Sequence, residues 1–221
     1  MGCPPLSQNT RRPVPFILGE DRVPPMRRLQ FPVALLTAGS VLIIGSLPAQ
    51  AHGTAGTGAL SGLLHPLLGP DHLLLLLAVA TAASLISAEL LLWAAGGAVI
   101  GAFLGVQGFS LAAGEVVAAL MVAALGGLLA FPALARLGGP LVAVAVASHA
   151  WLHGLEAPAG VSGLAWWLGA LGASLMVLLG ATLALRALPR QVSQWSAALF
   201  IAGGLSLAAA ALLLQAGGAA A

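Results

Sequence analysis

Leu63-Leu64-His65-Pro66-Leu67-Leu68-Gly69-Pro70-Asp71-His72-Leu73-Leu74-Leu75-Leu76-Leu77-Ala78-Val79-Ala80 decides how this chain folds. Its aliphatic residues leave no polar face, which suits a helix surrounded by hydrocarbon. Proline removes a backbone donor and clashes with the preceding turn, so the helix is expected to break or kink at Pro66, Gly69 and Pro70. Broken backbone at membrane depth is tolerated only where it lines a cavity or is buried in protein. The break coincides with His65, Asp71 and His72. Polar groups in lipid are expensive, so ionisable residues there mark function.

The rest of the chain has the same character. Of 221 residues, 60% are hydrophobic and 6% charged, too few charges to solubilise that much apolar surface. Repeated long apolar stretches imply an all-α, polytopic membrane helix bundle, and the alternating pattern of a membrane barrel is absent. The eight basic residues are all arginine, and five lie in the first 28 positions. No basic patch interleaved with aromatics exists, so nucleic acid is not an expected partner. The single cysteine, Cys3, offers neither a disulfide framework nor a thiolate metal site downstream.

Met26-Arg27-Arg28, the apolar run Phe31 to Leu47, and Pro48-Ala49-Gln50-Ala51 follow the order of a secretory signal peptide. Cleavage after Ala51 would make His52 the mature N-terminus, and the alternative is an uncleaved first helix. Residues 1–25, rich in proline and arginine, read as a disordered leader or a mis-assigned start, with translation beginning at Met26. The remainder, 52–221, forms one membrane domain.

Six spans are expected: Gly58–Ile86, Glu89–Leu111, Glu115–Leu134, Pro140–Leu155, Ser162–Leu185 and Trp195–Gln215. All but the fourth reach or exceed the ~20 residues that cross the hydrocarbon core. The first is kinked at its prolines. A cleaved signal puts His52 outside the cytoplasm. Arg136, Arg186 and Arg190 then all fall in cytoplasmic loops, as the positive-inside rule requires. Gly96-Gly97, Gly101 and Gly105, and again Gly169, Gly172 and Gly180, read as close-packing stripes or as the compositional bias of a GC-rich genome. Trp93, Trp166, Trp167 and Trp195 read as interfacial anchors.

His149, His153 and Glu156 are spaced i, i+4, i+7, within roughly 60° on one helix face. Two imidazoles one turn apart can share a metal ion, and a carboxylate a turn further can complete or orient the site. In the first cluster, a kinked backbone could turn His65 and His72 to one point. Asp71 there either holds the second nitrogen of His72, binds metal itself or caps the following helix. A free N-terminal His52 would offer an α-amine and an imidazole together, unless the terminus is simply unstructured. Both clusters lie toward the outer side, facing one vestibule. Glu89 and Glu115 stand at span starts, where the helix dipole explains them, though Glu115 could line that vestibule. The candidate metal set is therefore His52, His65, Asp71, His72, His149, His153 and Glu156.

The run His52-Gly53 through His65-Pro66-Leu67-Leu68-Gly69-Pro70-Asp71-His72, with Ala78-Val79 after it, resembles the HupE/UreJ family of bacterial nickel/cobalt permeases, whose signature is HP-x-x-G-x-DH. His149 to His153-Gly154-Leu155-Glu156-Ala157-Pro158 is similar to the family's HGHAHGAE-x-P segment, with Trp151 for its central histidine and Ala150 for the glycine before it. The methionine usual after the DH pair is replaced within Leu73–Leu77, and a histidine of the fifth span is absent from Ser174–Leu178. Fewer ligands allow weaker binding, faster passage or a different ion. The resemblance covers 52–215. It implies a secondary transporter for uptake of Ni²⁺ or Co²⁺ across the inner membrane, supplying a hydrogenase, urease or cobalamin pathway. The metal would be cargo, with no resident cofactor. The expected partners are the divalent ion and the lipid bilayer. A homo-oligomer and a cytoplasmic metallochaperone stay open.

Two other classes compete. A metal-dependent intramembrane enzyme could use Glu156 or Asp71 as base, but the HExxH pattern is absent and no serine or cysteine nucleophile stands beside a base. A membrane cytochrome would want histidines across facing helices without neighbouring carboxylates. No P-loop is present to couple ATP.

Overall fold

The computed structural model describes residues 58–110, 113–158, 160–188 and 190–218; the leader, the signal segment and His52 lie outside these. The described residues are helical with no strand, in the order α1 (Ala59–Leu68), α2 (Pro70–Leu85), α3 (Leu90–Val106), α4 (Gly114–Ala130), a 3-10 helix (Pro132–Leu137), α5 (Gly138–Glu156), α6 (Gly160–Ala187) and α7 (Arg190–Gly218).

Helices α1 and α2 meet at Gly69 with a bend of 74°. Gly69 closes one helix and opens the other: its N–H donates to the His65 carbonyl at 3.1 Å and its carbonyl accepts from Leu73 at 3.0 Å. Pro70 takes the first position of α2, where no donor is needed. Pro66 lies inside α1 rather than at the break, its missing N–H the only interruption there. The apolar run after it forms the central helix. Leu75, Ala78, Val79, Ala82 and Ala83 of α2 pack with Leu90 and Ala94 of α3, Val122, Leu125 and Leu128 of α4, Val142 and Ala145 of α5, and Phe200 of α7. A helix apolar on every side is one that other helices enclose.

Three segments are long and apolar enough to cross a membrane: Pro132–Glu156, Gly163–Ala187 and Trp195–Gly217. The bent pair α1–α2 is a fourth if taken as one span, and α3 and α4 are shorter apolar helices of 17 residues each. The expected short fourth segment is in fact extended, because the 3-10 turn over Pro132–Leu137 runs straight into α5. Pro140 fits there, since the first turn has no intrahelical acceptor for its absent donor.

Small residues set the helix pairs. A Cβ at Gly97, Gly101 or Gly105 of α3 would strike the carbonyl oxygens of Ala143, Ala147 and Trp151 on α5. The two helices therefore lie backbone to backbone and run in the same direction. Gly126 of α4 meets Ala197 and Ile201 of α7, and Gly204 of α7 meets Ala119 and Ala123, so that pair is antiparallel. Of the other glycines expected in stripes, Gly169 abuts Ala59 and Leu63 of α1, whereas Gly96, Gly172 and Gly180 face open space.

Candidate metal centre

The start of α2 and the last two turns of α5 meet at one point. Asp71, His72, His149 and His153 each place a ligating atom within 4.8 Å of the others. The α5 spacing explains its two imidazoles: residues one turn apart share a face, and that face is turned to α2. On α2, the bend at Gly69 brings the first turn against α5. Its glycine is needed for space, because a Cβ there would strike the His72 ring.

The carboxylate organises the cluster. Asp71 Oδ1 lies 3.0 Å from His72 Nδ1 and Asp71 Oδ2 lies 3.3 Å from His149 Nε2. The first is a hydrogen bond; the second is close but not aligned as one. Asp71 makes no helix cap, so the capping role considered for it is set aside for the imidazoles. A His72 Nδ1–H donated to Asp71 leaves the lone pair on Nε2. That Nε2 is buried without a hydrogen bond, as are Nδ1 of His149 and Nε2 of His153, while His149 Nε2 has only its close contact with the Asp71 carboxylate. An unpaired buried polar atom costs about 1–3 kcal/mol, so several on neighbouring rings point to an absent common partner. A divalent transition metal suits this donor set of neutral imidazole plus carboxylate.

The other expected ligands divide. His65 Nε2 lies 3.1 Å from His153 Nδ1, and Glu156 Oε2 lies 3.8 Å from the same atom. Both stand at the rim of the cluster: His65 is half-buried and Glu156 exposed, against 6% exposure for His72 and His149. Glu115 stands exposed in the first turn of α4 and is not among the converging residues. His52 lies outside the described residues.

One tryptophan departs from expectation. Trp166 is 2% exposed and packs on His65, with ring centroids 5.0 Å apart, instead of anchoring at an interface. Helical spacing alone does not reveal this contact, since adjacent residues of the same helix such as Leu175 and Met176 are both exposed; it depends on the approach of α1. Trp151 turns away from the cluster, and its indole N–H donates to the Phe109 carbonyl at 2.6 Å. Its spacing of two from each histidine places it on the opposite face of α5. The family histidine that it replaces would have faced α3 as well, so the substitution removes no donor from this cluster.

A cavity of about 290 Å³ adjoins the site. His65, His72, His149 and His153 line one part, and Leu75, Val79, Leu91, Ala94, Leu178 and Leu179 continue it along the bundle. Ser174 is the one hydroxyl among its lining residues, at the region where the family's fifth-span histidine is missing. The cytochrome alternative does not fit: the imidazoles pack on one another with centroids 4.2–5.1 Å apart, too close to admit a porphyrin plane between them.

Comparison with known proteins identifies the family. The sequence matches the family described as HupE / UreJ protein over residues 40–214. It is 35% identical over 125 residues to Protein HupE of Rhizobium leguminosarum bv. viciae, covering 51% of this chain and 64% of that protein, less than two thirds of its length. No solved structure matches. This multi-pass membrane protein belongs to the HupE / UreJ family, a family of membrane accessory proteins and permeases and not of enzymes.

Proposed function

We propose that this chain is a permease that takes up Ni²⁺ or Co²⁺ across the bacterial inner membrane for hydrogenase or urease maturation. The observation that carries the proposal is the convergence of Asp71, His72, His149 and His153, with orphaned imidazole nitrogens, inside an apolar helix bundle. Family membership supports the substrate class, since the family is associated with nickel and cobalt uptake. In this reading His65 and Glu156 join the ligand set from the rim, and His52 captures ions ahead of it.

The topology proposed is six crossings, with α1–α2 as a single broken span and α3 and α4 as short ones. Helix direction supports it. Spans that alternate make the second and fourth parallel and the third and sixth antiparallel, as α3–α5 and α4–α7 are. Residues 26–51 are then a cleaved signal peptide, and the ends of α5 and α3 face outward. The cluster receives the ion from outside, and the adjoining cavity leads it deeper into the bundle.

Uptake of radioactive nickel and cobalt tests this in cells lacking their own importers. The chain expressed from Met26 is compared with a His149→Ala/His153→Ala variant at matched membrane levels. Uptake that depends on the pair is the expected result. No uptake of either ion by the correctly inserted, unaltered chain refutes the proposal.

A further inference from the structure

The six described candidate ligands do not surround one point. The imidazoles of His65, His72 and His153 are mutually in contact, with centroids 4.6, 4.7 and 4.2 Å apart. Those of His72, His149 and His153 form a second triangle, at 4.6, 4.2 and 5.1 Å. The triangles share the edge His72–His153. Each has its own carboxylate: Glu156 approaches His153 at the first, and Asp71 reaches His72 and His149 at the second. The first triangle includes the half-buried His65 and has exposed Glu156 beside it; the second includes buried His149, one turn further into α5.

The geometry points to two successive ion positions that share His72 and His153, a rim position completed by His65 and Glu156 and an inner position completed by Asp71 and His149. This rests on the permease reading. An ion held at the rim passes inward by exchanging His65, Glu156 and His153 Nδ1 for His149, Asp71 and His153 Nε2, the His153 ring proton moving from Nε2 to Nδ1, while His72 keeps hold of it through Nε2. At no stage does it have to shed all its protein ligands within an apolar bundle, where a bare divalent charge is prohibitively costly. Two divalent ions repel with about four times the energy of two unit charges at the same separation. The positions are therefore filled one at a time, and an arriving ion helps to displace the one before it. Binding strong enough to enter yet divided enough to leave is what conduction requires.

Full-length protein purified in detergent, with Co²⁺ as optical probe, tests the two positions; radioactive Co²⁺ uptake into cells is measured in parallel. At equilibrium the ion occupies the inner position, whose carboxylate touches both neighbouring imidazoles. Under His65→Ala or Glu156→Gln, Co²⁺ affinity changes little from that of the unaltered chain, because neither side chain belongs to the inner position. The Co²⁺ spectrum is also unchanged, yet uptake falls about tenfold or more, the usual loss at metal-site partners. In Asp71→Asn/His149→Ala the ion moves to the rim, so the spectrum changes while binding persists, and adding His65→Ala then abolishes it. His65→Gln and His149→Gln, which keep side-chain bulk, replace any variant that fails to insert. A single shared site overturns the inference: His65→Ala would then weaken Co²⁺ binding and alter its spectrum as much as His149→Ala does. Unaltered protein that shows both positions but carries no ion into cells refutes the permease while leaving the two positions intact.

Discussion

Gly69 has φ −77° and ψ 114°, ordinary extended backbone open to any residue. Its glycine serves the His72 ring that packs where a Cβ would stand. Gly69→Ala should therefore fold and insert normally, but push His72 off Asp71. We expect metal uptake to fall about tenfold or more, with little change in the temperature of thermal inactivation. Trp151 gives the opposite expectation. Trp151→Phe removes the donor to the Phe109 carbonyl and should destabilise the protein by about 1 kcal/mol. Equilibrium Co²⁺ binding should be unaffected, because the indole faces away from the cluster. Calorimetry in detergent and Co²⁺ titration measure the two effects separately.

At the scale of elements, contact between α3 and α5 fixes where the α5 histidines stand. Gly101→Ala would place a methyl group on the Ala147 carbonyl and wedge the helices apart, at a cost of about 1–3 kcal/mol. His149 and His153 would shift with α5, so uptake should fall together with stability. Gly96→Ala meets open space on the same helix and should be neutral, or stabilising by about 0.5–1 kcal/mol through helix propensity. Thermal inactivation of the two variants, side by side, checks the pair. The other end of the central helix has a tie of its own. Arg186 of α6 donates to the Ala83 carbonyl at 3.3 Å, one of the last carbonyls of α2 without an intrahelical partner. A cation there also meets the negative end of the helix dipole.

For the whole molecule, ligation by imidazole requires the neutral ring, so protons compete with the metal. Co²⁺ binding should therefore weaken once the medium is acid enough to protonate the ligands; Co²⁺ titration of the detergent-solubilised protein over a series of decreasing pH values would register the loss. Orientation is testable because the only natural cysteine, Cys3, precedes the described domain. With Cys3 replaced, Ser110→Cys, between α3 and α4, should react with a membrane-impermeant maleimide added to cells whose outer membrane is opened. Ala133→Cys, in the 3-10 turn beside Arg136, should react only after lysis.

The sequence by itself determined the class of the molecule. Hydrocarbon tolerates few charges, so long apolar runs with so few charged residues declare the solvent, and two tight groups of imidazole and carboxylate within those runs mark the candidate site. It also placed His149, His153 and Glu156 on one face, because helical periodicity is local. Tertiary structure alone decided that His72 and Asp71 meet this face, since contact between residues nearly eighty positions apart depends on the bend at Gly69 and on the glycine-lined approach of α3 to α5. The direction of Trp151, the burial of Trp166 on His65 and the division of the imidazoles into two triangles likewise follow from which helices are neighbours. In lipid, hydrophobicity does not choose between neighbours; close packing of small residues does, and that complementarity is a property of pairs of helices rather than of any one segment.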